Sequence, residues 1–158
     1  MPRARTTTRR LATAGTLTAL ALLTTGAVAL LAPLPTTPVT PPPDDATPTQ
    51  VVHTYTQALA GHDCTTAAAL RTHPDDATWC DALATLTDIH IGTPVPEDPA
   101  LSGHAPHQQV VHVPVTLTPT WRPLRDDSSL DEAPTTWGYR LVRDTPHTPW
   151  RIADEGVA

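Results

Sequence analysis

Residues 135–158 constrain the fold most. Trp137, Tyr139 and Leu141 alternate with Gly138, Arg140 and Val142, and beyond residues 144–149 the pattern resumes with Trp150 and Ile152 against Arg151 and Ala153. A period of two over this length predicts two β-strands joined by a turn, apolar on one face and wet on the other. Such a hairpin is marginal alone, so the rest of the chain must supply further strands and a covering layer. Val111, Val113, Val115 and Leu117, with His112 and Thr116 between them, give the clearest alternation upstream. Pro114 falls inside it and removes a ladder donor, which predicts a bulge or an edge position. A shorter strand is expected over residues 87–91, with Ile89 and Ile91 opposite Asp88 and His90. Residues 92–106 read as a loop or brief edge strand, and residues 121–133 as a polar excursion.

The covering layer is expected from three helices. Thr47, Pro48 and Gln50 form a helix start, with Thr47 as N-cap, Pro in the first turn and Gln50 closing a capping box. Val51, Val52, Tyr55, Ala58 and Leu59 then share one face, and Gly61 is expected to end the helix. Asp63 can cap a second helix through Cys64 and Ala67 to Leu70. Thr78, with Asp81 three residues on, suggests a third carrying Trp79, Cys80, Leu83 and Leu86.

Residues 11–32 carry no charge, and as a helix they would extend about 33 Å, enough to cross the hydrocarbon core of a bilayer. Arg3, Arg5, Arg9 and Arg10 precede the run and acids follow it, which orients the N-terminus inside. A single-pass cell-membrane anchor is the leading expectation. The competing one is a secreted protein, its signal peptide cleaved at the small-x-small site Ala27-Val28-Ala29. No Cys directly follows the run for lipid attachment. Residues 33–46 are Pro-rich and are expected to form a disordered polyproline-type spacer of about 3 Å per residue, holding an α+β domain of residues 47–158 roughly 40 Å from the membrane. Beyond residue 32, six Arg face all 16 acids. An acidic domain without a basic stripe is a poor nucleic-acid binder, so no nucleic-acid partner is expected.

Three helices, then about four antiparallel strands closing in a Trp-turn-Trp hairpin and Asp-Glu-Gly, resemble the nuclear-transport-factor-2-like superfamily, a cystatin-like α+β cone of curved sheet around a long helix. The order is similar especially to exported members from high-GC bacteria, in which a transmembrane segment and Pro-rich tether precede the domain. The resemblance implies a fold and carries over no active site, because catalytic members share no linear motif that maps onto this chain.

Cys64 and Cys80 are the only cysteines, and in an exported chain an even count predicts a disulfide. The two cysteines lack the close Cys-x-x-Cys type spacing of a zinc site, so no metal and no cofactor are expected. Among the eight histidines, His90 and His112 stand on strand faces opposite the aliphatic residues, where with Asp88 they can form an acid-base set suited to neutral pH. Tyr55 and Trp137 complete the candidate pocket, although in a domain without Phe the aromatic residues are expected chiefly as core. No nucleophile elbow or Gly-rich phosphate loop is present. The functional expectation is a non-catalytic, membrane-tethered extracytoplasmic domain. It would assemble with envelope proteins or its own copies, as do subunits of conjugation or type IV secretion machines and accessory proteins of lipid-uptake systems. The alternative is a small-molecule binder or cyclase/isomerase-like enzyme using the cone interior.

Overall fold

The computed structural model describes residues 34–74, 79–123 and 130–157, in one compact unit spanning Leu34–Ala158. The expected anchor and signal site lie outside the described residues; among those described, no helix is long and apolar enough to cross a membrane. The fold is α+β. Helices α1 (Pro48–Ala60), α2 (Cys64–Ala69) and α3 (Trp79–Ala82) precede strands β1 (Leu83–Ile91), β2 (Val95–Glu97), β3 (Gln109–Trp121), β4 (Thr135–Arg143) and β5 (Arg151–Val157). The antiparallel sheet runs β1-β3-β4-β5, with β2 also on β3.

Local chemistry sets the helix starts. In the Thr47–Gln50 capping box, Thr47 N donates to Gln50 Oε1 at 2.8 Å and Gln50 N to Thr47 Oγ1 at 3.3 Å. Asp63 caps α2 by accepting from Thr66 N. Cys64 and Cys80 are disulfide-bonded with Cα atoms 5.5 Å apart, tying α2 to α3. The expected cap at Thr78 lies outside the described residues.

The third helix ends earlier than expected, because Leu83 and Leu86 belong to β1. Leu83 pairs with Trp121 but Thr85 with Thr120, so Ala84 is an extra residue that lets two leucines three apart both point inward. A second irregularity lies between Thr87 and His90, where Asp88 takes a left-handed φ of 51°. β1 and β2 are successive segments along one side of β3, and bulges of this kind kink the strand that carries them.

Pro114 is neither at a sheet edge nor in a bulge of β3, since it pairs in register with Gly138 of β4. Its C=O accepts from Gly92 N at 2.8 Å, so its donor-less nitrogen faces the break between β1 and β2. The ladder is already interrupted there.

The inner face of the sheet carries Val113, Val115, Leu117, Tyr139, Leu141 and Ile152 against Val51, Val52, Tyr55, Ala58 and Leu59 of α1. Trp79 packs edge-on to Trp121 and tilted against Trp137, with ring centres 5.5 and 5.1 Å apart. The Pro-rich segment departs from expectation. It forms no helix or strand, yet Thr37 N donates to Gly61 O, Val39 N donates to Asp63 Oδ2, and Ala46 is buried. From Thr37 onward it is part of the domain.

Candidate functional site

Two polar clusters lie on opposite faces of the sheet. The inner one is assembled from four distant segments. Residues 70–72 run beside β5, with Thr72 N donating to Ile152 O and Ile152 N to Leu70 O, both at 2.9 Å. This places Arg71, which is buried, on the inner side of the sheet. β5 has a register shift beside Leu141, so Ala153 is an extra residue and Glu155, opposite Tyr139, lies on the same face as Ile152. Arg71 Nη1 donates to Glu155 Oε1 at 2.7 Å and to the Tyr55 hydroxyl at 2.8 Å. The Arg71 and Glu155 side chains are 4% and 12% exposed, so this is a largely buried ion pair. Tyr55 and Tyr139 meet edge-on with ring centres 5.4 Å apart.

Burial pushes the Glu155 carboxyl above its ordinary range, against the opposing pull of the Arg71 guanidinium and the Trp137 indole N–H. Burial likewise pushes the Tyr139 phenol well up, and the Glu155 charge adds to it. Among the described residues, Arg71 Nε and Tyr139 OH have no hydrogen-bond partner. An unmade buried bond costs about 1–3 kcal/mol, whereas removing the group can be neutral or stabilising. Tyr139→Phe is therefore expected to leave the melting temperature unchanged or raise it, by at most about 1 kcal/mol in stability. A loss beyond about 1 kcal/mol in thermal melts would mean that the hydroxyl makes a stabilising bond in solution.

The outer cluster joins Glu97 of β2, His112 of β3, Arg140 of β4 and Asp154 of β5. Arg140 Nε donates to Glu97 Oε2 at 2.7 Å and Nη1 to Asp154 Oδ2 at 2.9 Å, and His112 Nδ1 lies 4.0 Å from Glu97 Oε1. The Arg140 hydrogen bond holds Glu97 below the usual carboxylate range. His112 lies across Gly138, where a Cβ would collide with its imidazole. A dimple of about 120 Å³ opens beside it over Gly138 and Gly156, bordered by Arg140 and Asp154. Arg140 thus bridges the two carboxylates, and the groups are partly solvated.

The structure separates the residues that the sequence suggested as one pocket. Tyr55 and Trp137 are interior. His112 is on the outer face. His90 is exposed and pairs with Thr116, so it lies four positions from His112 along β3, about 13 Å at roughly 3.3 Å per residue. Asp88 is exposed at its bulge beside the Thr87 hydroxyl. His90 instead borders an open groove of about 560 Å³ with Thr49, Gln50, His53, Gln57 and Ile89. Sequence reasoning missed Arg71, Tyr139 and Glu155 as a cluster. Strict alternation after Ile152 puts Asp154, not Glu155, inside, and nothing local marks the extra residue in β5.

No protein-family model, curated protein or solved structure matches this chain.

Proposed function

We propose that this is an extracytoplasmic, membrane-tethered domain of the nuclear-transport-factor-2-like type that works by protein–protein contact, with other envelope proteins or with its own copies, rather than by catalysis. The observation that carries this reading is the occupied interior: Tyr55, Tyr139, Trp79, Trp121 and Trp137 are all at least nine-tenths buried where a pocket protein would hold its ligand. The bends in β1 are consistent with a sheet curved around α1. The disulfide is consistent with an oxidising, extracytoplasmic location. Chemical crosslinking in intact membranes followed by affinity recovery tests it. Recovery joined to other envelope proteins or to further copies is expected; recovery alone, as a free monomer, contradicts it.

A second reading, a small-molecule binder or cyclase/isomerase-like enzyme, draws on the buried Arg71–Glu155 pair, since desolvated ion pairs with shifted pKa values concentrate at functional sites. It requires a compound that raises the melting temperature of the wild type and not of Glu155→Gln.

A further inference from the structure

The Pro-rich segment explains the identity of two residues in the body of the domain. Gly61 follows α1 with φ −88°, a conformation open to any residue, so its backbone does not call for glycine. A Cβ at this position would lie 2.7 Å from Thr37 O, closer than real side chains approach a backbone oxygen. Glycine lets the segment cross the end of the helix, where Thr37 N donates to Gly61 O at 2.7 Å. Asp63 has two tasks. Its Oδ1 accepts from Thr66 N at 3.1 Å as the cap of α2, and its Oδ2 accepts from Val39 N at 2.9 Å. The two backbone N–H groups, Val39 first, hold its carboxyl below the ordinary value. The Thr66 hydroxyl donates to Val39 O at 3.4 Å.

These contacts match an extended chain interrupted by proline. Polyproline-type backbone makes no internal hydrogen bonds, so the amides on either side of Pro38 are available to the body, and both are used. The prolines at 38, 41, 42 and 43 also restrict the unbound segment, lowering the entropy lost on docking. Farther on, Pro41–Pro43 share a gap of about 140 Å³ with Leu70 and Trp150, and Ala46 enters the core at 4% exposure.

We propose that Gly61, Asp63 and Thr66 form a docking site for an extended, proline-interrupted backbone. Residues 37–46 of this chain are its occupant, so the tether is strapped to the domain and its usable length ends at Thr37 rather than Ala46. The consequence for reach rests on the membrane-anchored reading above. Unstrapped, residues 33–46 would span roughly 40 Å at about 3 Å per residue; strapped, only residues 33–36 remain, about 12 Å. Any partner must then be met close to the bilayer surface.

The test uses the full chain reconstituted in lipid vesicles, as wild type and as Gly61→Ala, with Val39→Pro as a second variant that removes one docking donor without changing the body. Amide hydrogen exchange at Thr37 and Val39, together with energy transfer from a dye on the domain to a dye in the bilayer, is the readout. In the wild type both amides are expected to exchange more slowly than in a free peptide, on the order of tenfold or more. In Gly61→Ala both lose that protection while the α1 amides keep theirs, and energy transfer falls. In Val39→Pro, Thr37 loses protection and transfer falls likewise. Free-chain exchange at Thr37 and Val39 in the wild type overturns the docking. Protected amides with energy transfer unaffected by either variant overturn the short reach. A chain that washes off the vesicles overturns the anchored reading and the reach that depends on it, while protected amides would still establish the strap.

Discussion

Replacing Arg71 by methionine is expected to destabilise the domain by about 3–5 kcal/mol, a large share of the roughly 5–15 kcal/mol that a domain of this size possesses. The guanidinium is buried and bonds both Glu155 and Tyr55, so its loss leaves a carboxylate desolvated without a counter-charge. Melting should fall by roughly 10–20 °C. The pH dependence separates this from loss of packing. Burial raises the Glu155 pKa in the folded state, so its contribution is fully present below the unfolded carboxylate value and is lost as pH rises through the folded value. Without Arg71 nothing comparable opposes burial, and that pKa rises further. The variant should therefore regain part of its stability between pH 7 and pH 5, by more than the wild type does. Arg71→Met combined with Glu155→Leu should recover much of the loss, because apolar replacement of a buried pair is often neutral. Melts of the wild type and both variants at the two pH values check this; a loss below about 1 kcal/mol with no pH dependence would show that the pair is solvated.

Loss of the Cys64–Cys80 bond is the second large effect. The bond closes a loop of separation 16, worth about 3 kcal/mol in the chain-entropy description. It also joins helices of six and four residues, far too short to persist alone. Cys64→Ser, Cys80→Ser and the double variant should melt alike, each lower than wild type by several degrees or more, and reduction of the wild type should reproduce them. Two reactive thiols in the non-reduced protein, or an unchanged melt on reduction, would contradict this.

What was legible in the sequence was local. The caps at Thr47 and Asp63 are written within four residues, and the long alternations of β3 and β4 span enough positions to declare a period of two. What was not legible arose where one extra residue changes the period. Leu83 and Leu86 mimic a helical spacing because Ala84 is bulged, and Glu155 is hidden by the extra residue at Ala153. Arg71 meets its counter-charge on β5, more than 80 positions away in sequence. Gly61 read as a helix stop, and it is one, but not through the left-handed turn that usually calls for glycine. Composition showed that residues 33–46 could not build a core of their own. It gave no sign that the amides of Thr37 and Val39 would be bonded by the domain.

The account is tested most directly by the native mass of the full chain after mild extraction from the membranes that produce it, with the disulfide intact. An assembly domain is expected to migrate in a complex larger than one copy, and the complex should persist in Tyr139→Phe, whose change is confined to the interior. A chain that runs as a single copy in the membrane extract, or that is found only in the soluble exported fraction, would contradict the account.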